Sequence, residues 1–252
     1  MMRLPYLRAG SGHPLVLIHG YLGGAAQWKR EIAHFSTRYD VIAPDLPGFG
    51  AASDRAGCDT IADMAKAVCA LLDDLGVKEF ALLGHSMGGQ IAQQIAADRP
   101  MAVSKLMLYG TGPLGLMPDR FEPIEVSRQR LSADGVAHTI ERIGATWLKA
   151  GRDAPCFPLL VDIGARANPQ AAMAALDAMA NWDGRDALAG FLMPTLVIWG
   201  DSDRSYRWPQ VQSLWTSIPD VQLSVVPGTA HALHLEKPDL FNSLISDFLV
   251  NY

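Results

Sequence analysis

The stretch "LLGHSMGG", residues 82–89, places a serine between two glycines directly after an apolar run. Ser86 lies in the pattern G-x-S-x-G, with Gly84 two residues before it and Gly88 two residues after it. The apolar run predicts a strand, and the following "GQIAQQIAADRP" predicts a helix. Glycines on both sides of a tight strand-to-helix turn let the two elements pack closely and expose the side chain at its tip. The pattern therefore predicts a nucleophilic serine, with an ordinary glycine-serine loop as the alternative.

Short runs rich in leucine and β-branched residues recur along the chain, and segments with helical spacing separate most of them. The runs are "PLVLIHG" (14–20), "DVIAPD" (40–45), "EFALLGHS" (79–86), "KLMLYGT" (105–111), "TLVIWGD" (195–201) and "VQLSVVPG" (221–228). Such alternation is typical of a mostly parallel sheet that is covered by helices. We therefore predict six strands in an α/β fold.

Two helices on the faces of this sheet are predicted most clearly. Thr60 and Asp63 form a capping-box pattern, and apolar residues then recur at three- and four-residue steps until Gly76. Near the end of the chain, Pro238 precedes an apolar stripe over residues 240–249. Each stripe can cover one face of the sheet.

Residues 113–190 interrupt the alternation of strands and helices. This segment contains no convincing strand, but it has helical spacing over 136–148 and 169–179, and it opens with the glycine- and proline-rich "GPLGLMPD". Because the runs on both sides resemble strands of one sheet, we interpret 113–190 as a helical insertion into a core formed by 1–112 and 191–252. An independent second domain is the alternative.

The composition is that of an ordinary globular protein. Apolar residues make up 49% of the 252 residues and charged residues 19%, with a formal net charge of -5, so we expect no nucleic-acid partner and no membrane partner. Cys58, Cys69 and Cys156 are widely spaced, which predicts neither a disulfide framework nor a zinc site. Residues 15–18 are too short a run for a signal peptide. We expect a cytoplasmic protein that acts on a small molecule, and its oligomeric state stays open.

A serine hydroxyl needs a base, usually a histidine that a carboxylate orients, and the expected chain order here is serine, acid, histidine. The run "TLVIWGDSD" places Asp201 and Asp203 after one strand, and "SVVPGTAHALHLEKP" places His231 and His234 after the next. We predict Ser86, Asp203 and His231 as the catalytic residues. Asp203 is preferred because it lies farther along its loop; Asp201 is the rival acid and would otherwise cap the turn. His234 is the rival base and would otherwise pack or contact substrate.

Two backbone amides are expected to bind an oxyanion. Met87 begins the predicted helix after Ser86, where unpaired amides and the helix dipole favour negative charge. The second donor is predicted in "LIHGYLGG" (17–24), where we choose Tyr21 over its neighbour Leu22. His19 in the same stretch is interpreted as a turn residue without a catalytic role.

Aromatic residues and methionines of the insertion are candidate walls of a substrate pocket, although such residues more often form the core between helices. They are Met117, Phe121, Trp147, Phe157, Met173, Met179 and Trp182. Of these we select Trp147 and Trp182, together with His234, as possible pocket residues. An apolar acyl or alcohol group is the substrate feature that such walls favour.

At these motifs the chain resembles the α/β-hydrolase superfamily. The matching stretches are "HGYLGG", "PDLPGFG", "GHSMGG", "GDSDR" and "GTAHALHLEKPDLFN". The resemblance implies an eight-stranded core, here without its first strand because only "RLPYLRAG" precedes residues 14–20, and an all-helical cap at 113–190. It aligns Asp203 with the acid of the family and His231 with its base, and it gives Asp45 a structural role. No metal and no organic cofactor is expected.

The predicted function is hydrolysis of a small or medium apolar carboxylic ester through an acyl-enzyme on Ser86. One alternative is a carbon-carbon bond or enol-lactone hydrolase of aromatic degradation, which resembles this layout and shares the triad. Those carbon-carbon hydrolases often have asparagine before the nucleophile, where this chain has His85. A second alternative is a non-catalytic ligand-binding protein on the hydrolase fold. Only a measured rate separates that protein from an enzyme.

Overall fold

A mostly parallel β-sheet forms the centre of the computed structural model, which describes residues 3–116 and 120–252. Its strands are β1 Tyr6–Ala9, β2 His13–Ile18, β3 Tyr39–Pro44, β4 Phe80–His85, β5 Val103–Tyr109, β6 Thr195–Gly200 and β7 Val221–Val226. Within the described residues the strand order is β1-β3-β2-β4-β5-β6-β7. Every neighbouring pair is parallel except β1 and β3. The predicted fold class is confirmed.

The strand that sequence analysis missed is β1. It lies at the edge of the sheet and its residues are half-buried or exposed, so it lacks the apolar run of a buried strand. Its backbone pairs with β3, and Arg8 donates hydrogen bonds from Nε and Nη2 to the two carboxylate oxygens of Asp40 at 2.8 and 2.6 Å. The described residues thus contain seven strands, one more than the six that we predicted from the apolar runs and the number that the resemblance implies for an eight-stranded core without its first strand.

Helices cover both faces of the sheet and also form the insertion between β5 and β6. They are α1 Lys29–Phe35, α2 Ile61–Asp74, α3 Met87–Asp98, α4 Ile124–Gly144, α5 Phe157–Gly164, α6 Pro169–Ala180, α7 Trp208–Ser217, α8 Leu233–Glu236 and α9 Pro238–Asn251. Helix α2 begins as predicted, because the Thr60 hydroxyl accepts a hydrogen bond from the Asp63 amide at 3.0 Å. Helix α9 begins at Pro238, also as predicted.

Successive residues of the central strands point to opposite faces, and both faces are buried. Val16 and Ile18 of β2 belong to a hydrophobic cluster that includes residues of α2 and α3. Leu15 and Leu17 belong to a second cluster with residues of α1 and α9. Burial on both faces explains why the strand runs are continuously apolar. The carboxyl ends of the parallel strands meet at one edge, where the loops that follow them lie close together.

The insertion between β5 and β6 consists of α4, α5, α6 and short 3-10 turns. Gly135, with φ 75° and ψ 175°, breaks α4 one residue before the predicted segment 136–148 begins. At the base of the insertion the amide of Gly184 donates to the Pro113 carbonyl at 2.9 Å, which joins its two ends. Its apolar side chains continue the cluster that covers α2 and α3. The division at 113 and 190 into core and cap stays a prediction.

Two further features bear on the expected location of the protein. In the two described ranges, no helix combines the length and the apolarity that a bilayer-spanning segment requires. Cys58, Cys69 and Cys156 are free thiols, and burial raises the pKa of each of them, that of Cys58 to about 11. Reactive thiolates are therefore disfavoured at neutral pH. The cytoplasmic location stays a prediction.

Glu31 in α1 links stability to pH. Its side chain is 1% exposed, and neither carboxylate oxygen has a hydrogen-bond partner among the described residues. Burial raises its pKa from 4.5 to about 7. The folded state therefore binds a proton that the unfolded chain has released, so the contribution of Glu31 to stability is complete below pH 4.5 and is lost as the pH rises towards 7.

We expect Glu31→Gln to raise the free energy of unfolding by about 3 kcal/mol at alkaline pH and to change it little in mild acid, because glutamine resembles the protonated carboxyl. Urea unfolding of the wild type and of Glu31→Gln, each at an alkaline and at a mildly acidic pH, measures the difference in the free energy of unfolding. The matched control is Glu79→Gln, since Glu79 is exposed. Equal effects of Glu31→Gln at both pH values would contradict the prediction.

Candidate active site

Ser86 lies at the turn between β4 and α3, in a backbone conformation with φ 56° and ψ -120°. Residues other than glycine rarely adopt a positive φ, so the turn is strained. A side chain at Gly84 would overlap the backbone of Gly88, and one at Gly88 would overlap the carbonyl of Ile18 in β2. The two glycines are therefore required by the close approach of strand, turn and helix, as the G-x-S-x-G pattern indicates.

Asp203 and His231 come together from the loops after β6 and β7. His231 Nδ1 donates to Asp203 Oδ2 at 2.9 Å, and both side chains are almost fully buried. The other carboxylate oxygen, Oδ1, accepts from the amides of Ser205 at 2.7 Å and Tyr206 at 3.2 Å. The carboxylate is therefore held in one orientation. Because Nδ1 carries the proton, Nε2 of His231 is free to accept another.

Ser86 and His231 share two adjoining cavities. The first cavity is lined by Gly20, Tyr21, Leu22, Gly23, Gln27, His85, Ser86, Trp147, Leu160, Ile163, His231, Ala232, His234 and Leu235. The second cavity is lined by Tyr21, Ser86, Gly115, Arg120, Phe121, Ile143, Trp147, Met179, Ser205, Tyr206 and His231. A substrate whose reacting group lies between Ser86 and His231 can therefore extend into both cavities.

The rival acid and the rival base occupy different positions from the residues that we chose. Asp201 is exposed, and its Oδ1 accepts from the Ser202 hydroxyl at 3.0 Å and from the Gly228 amide at 2.8 Å, so it caps the turn. His234 is buried with Nδ1 3.1 Å from Tyr109 Oη, and it lines the first cavity. Burial lowers the pKa of His234 to about 3, which keeps its ring neutral.

Two residues to which sequence reasoning gave no role hold the backbone of His231. His85 Nε2 donates to the His231 carbonyl at 3.0 Å, and Tyr109 Oη donates to the same oxygen at 2.7 Å. The rings of His85 and Tyr109 stack with a centroid separation of 4.5 Å. Burial lowers the pKa of His85 well below its usual value, with a smaller contribution from His231. His85 and His234 are thus neutral neighbours that add no charge against a protonated His231.

The predicted oxyanion donors lie beside Ser86. Met87 is the first residue of α3, and Tyr21 follows β2 and lines both cavities. Neither backbone amide donates to a protein acceptor among the described residues. Nearby, His19 Nδ1 donates to the Gly20 carbonyl at 2.8 Å and Nε2 accepts from the Leu46 amide at 3.0 Å, so His19 joins two loops. The choice of Tyr21 and Met87 stays a prediction.

Of the two tryptophans that we selected as pocket residues, one lines the cavities and the other does not. Trp147 lines both cavities, and its carbonyl accepts from the amide of Ala232 at 2.9 Å, which ties the insertion to the loop of His231. Trp182 lines neither cavity in the described part of the chain; its Nε1 donates to Gln94 Oε1 of α3 at 3.2 Å. Met117, another candidate wall, lies outside the described residues.

Three residues of the second cavity were missed by sequence reasoning. Arg120 directly follows the glycine- and proline-rich segment that opens the insertion, and Ser205 and Tyr206 follow Asp203 in the acid loop. The Tyr206 ring stacks on His231 at a centroid distance of 5.8 Å. Burial raises the pKa of the Tyr206 phenol to about 12, against smaller lowering effects of Arg120 and of hydrogen bonding to Ser86. Ser205 and Tyr206 could have been predicted from the sequence, because they lie two and three residues after Asp203.

Comparisons with known proteins agree with this architecture. The 2-hydroxy-6-oxo-6-phenylhexa-2,4-dienoate hydrolase of Burkholderia cepacia is 32% identical over 96% of this chain and 90% of its own length. The pimeloyl-[acyl-carrier protein] methyl ester esterase of Vibrio parahaemolyticus is 28% identical over 95% of each chain. The crystal structure of the enol-lactonase from Burkholderia xenovorans LB400 superposes with a TM-score of 0.89 at 22% identity, covering 98% of this chain and 96% of that one.

These relatives are hydrolases, which supports hydrolysis as the class of reaction. A family model described as "Alpha/beta hydrolase family" matches residues 15–244, a range that includes Ser86, Asp203 and His231. The chain therefore belongs to the alpha/beta hydrolase family.

Proposed function

We propose that the protein is a serine hydrolase that cleaves a carboxylic ester through an acyl-enzyme on Ser86. The observation that carries the proposal is the 2.9 Å hydrogen bond from His231 Nδ1 to Asp203, beside cavities that His231 shares with Ser86. A buried histidine oriented in this way is the base that a serine nucleophile requires.

In the proposed reaction, Ser86 Oγ attacks the ester carbonyl while His231 Nε2 takes the hydroxyl proton. The amides of Met87 and Tyr21 bind the oxyanion of the tetrahedral intermediate. His231 then returns the proton to the leaving alcohol, which leaves an acyl group on Ser86. Water, deprotonated by the same nitrogen, attacks the acyl group and releases the acid.

Asp203 has two roles in this sequence of steps. It fixes the tautomer of His231, and its negative charge stabilises the imidazolium that forms when Ser86 loses its proton. The neutral rings of His85 and His234 support the same step, because a second cation at a ring separation of 4.7 Å, as between His85 and His231, would oppose that charge.

The first cavity supports an apolar group on the substrate. Leu22, Trp147, Leu160, Ile163 and Leu235 form much of its wall, which suits an apolar chain. Three of these residues come from the insertion, which acts as a cap over the site in this proposal.

A second candidate is hydrolysis of a carbon-carbon bond, and the relative that is 32% identical to this chain, a 2-hydroxy-6-oxo-6-phenylhexa-2,4-dienoate hydrolase, favours it. The same residues would act on a ketone in place of an ester. The ester is placed first because carbon-carbon hydrolases often have asparagine before the nucleophile, where this chain has His85. Here His85 Nε2 donates its proton to the His231 carbonyl and is therefore engaged within the protein.

The experiment is time-resolved mass spectrometry of the protein mixed with p-nitrophenyl esters from acetate to laurate, followed by peptide mapping. We expect released nitrophenol, a chain-length optimum and an acyl adduct on the peptide that contains Ser86. Urea-unfolded protein controls for spontaneous hydrolysis. Cleavage of a phenyl dienoate ketone without ester turnover would favour the second candidate, and no turnover of either class would contradict both and leave a ligand-binding protein.

A further inference from the structure

Arg120 places a positive charge in the second cavity. The residue is half-buried, and its guanidinium lies 5.7 Å from the centre of the Phe121 ring. Among residues 3–116 and 120–252, no carboxylate forms an ion pair with it. Burial lowers its pKa, but an arginine stays charged in proteins. A charge withdrawn from water is costly unless it is paired, and within the described residues no carboxylate pairs with Arg120.

Glu122 lies close enough to Arg120 to affect its pKa, but its carboxylate is already engaged. Glu122 Oε1 accepts from the Ser127 hydroxyl at 2.7 Å. Its Oε2 accepts from Arg130 at 2.8 Å and from Arg142 at 2.6 Å. Two other arginines therefore already share this carboxylate, and the positive charge of Arg120 is left in excess.

Two hydroxyl groups of the same cavity also lack partners. Tyr21 Oη and Ser205 Oγ are buried without a hydrogen-bond partner in the described part of the chain, and both residues line the second cavity with Arg120. Arg120 lies close enough to Tyr21 to affect the pKa of its phenol, which burial raises. The cavity thus combines one cation with two hydroxyl donors that find no acceptor among the described residues. Unsatisfied buried donors are rare in native proteins and indicate a missing partner.

We propose that the second cavity binds a free carboxylate of the substrate, with Arg120 as the charged partner and the hydroxyls of Tyr21 and Ser205 as further donors. The inference rests on the proposed function and narrows it to esters that carry an anionic group. A carboxylate offers two oxygens with several lone pairs, and its planar shape matches the guanidinium fork. The apolar part of such a substrate occupies the first cavity, and Ser86 attacks the ester carbonyl between them.

The test compares matched esters that differ only in one carboxylate. In one pair, mono-p-nitrophenyl adipate is compared with p-nitrophenyl hexanoate, so the charge is in the acyl group. In the other, 4-carboxyphenyl hexanoate is compared with phenyl hexanoate, so the charge is in the leaving group. For each pair, the ratio of kcat/KM for the charged ester to that for the uncharged ester is measured, which does not depend on the fraction of protein that is folded.

In one of the two pairs, we expect Arg120→Met to lower this ratio by about 10- to 100-fold, the size of a charge-assisted hydrogen bond. Arg120→Lys should keep part of the preference, because it retains the charge and loses the fork. Arg152→Met is the matched control, since Arg152 is an exposed arginine of the insertion, and its ratio should equal that of the wild type. Ratios unchanged by Arg120→Met in both pairs, with uncharged esters still hydrolysed, would overturn the carboxylate site and leave the serine hydrolase standing.

A binding measurement separates failure of the site from failure of the proposed function. Calorimetric titration of monomethyl adipate into Ser86→Ala protein, with and without Arg120→Met, needs no turnover. Binding that is lost with Arg120→Met supports the carboxylate site even if no ester is cleaved, in which case the serine hydrolase proposal fails alone. Equal binding by the two proteins overturns an acyl-side carboxylate site.

Discussion

Replacement of Ser86 by alanine is expected to lower kcat for ester hydrolysis by about 10⁵- to 10⁶-fold. In the proposed reaction the variant lacks the atom that forms the acyl-enzyme, and His231 has only water to activate. Alanine keeps the Cβ atom and fits the same backbone conformation as serine, so the turn at φ 56° is under no new strain. The residual rate should reflect oxyanion binding alone, which does not depend on the hydroxyl.

Steady-state kinetics with the best ester of the panel measure this loss, and thermal unfolding verifies that the variant is folded. Ser243→Ala is the matched control, because Ser243 lies on the exposed face of α9 and, within the described residues, its hydroxyl donates only to the Asp239 carbonyl. A Ser86→Ala protein that retained a tenth of the wild-type rate would rule out Ser86 as the nucleophile.

Asp203→Asn is expected to lower kcat by about 10⁴-fold while the fold is preserved. The backbone amides of Ser205 and Tyr206 both donate to one carboxylate oxygen, so the oxygen of asparagine should take that place. The amide nitrogen then faces His231 and donates to Nδ1. This reverses the tautomer, puts the proton on Nε2, and leaves His231 unable to accept a proton from Ser86.

Asp201→Asn is the control for this prediction, since it makes the same chemical change in the same loop. Asparagine retains the oxygen that accepts from Ser202 and Gly228, so a change in kcat of less than threefold is expected, on the order of a surface substitution. Determination of kcat for the two variants also decides between the two aspartates. A larger loss from Asp201→Asn than from Asp203→Asn would make Asp201 the triad acid.

Local patterns were enough to predict most of the fold. The turn at Ser86 requires glycines for a steric reason that acts over a few residues, and the central strands are apolar because helices bury both of their faces. The Thr60 cap is equally local. Strand β1 was missed because an edge strand depends on pairing with β3, and its own residues carry no apolar run.

The second cavity could not be predicted in this way. Arg120 of the insertion lines the same cavity as Ser86 and His231, and no sequence pattern near residue 120 predicts this position. Trp182 shows the converse: an aromatic residue of the insertion was expected in the pocket, but its indole donates to Gln94 of the core instead. Helical spacing predicts which residues are buried, and it does not predict which neighbours they meet.

The bond between the Trp147 carbonyl and the Ala232 amide has a consequence for protein engineering. Lys149 of the same segment donates its amide to Glu236 Oε1 of α8 at 2.6 Å, so two hydrogen bonds from the backbone of the insertion reach the loop of His231 and the helix that follows it. A chimera that exchanged residues 113–190 for the corresponding segment of a relative keeps these bonds only if its backbone follows the same path at 147–149. Transplanting specificity in this chain therefore disturbs the proposed base as well as the pocket, unless that backbone path is preserved.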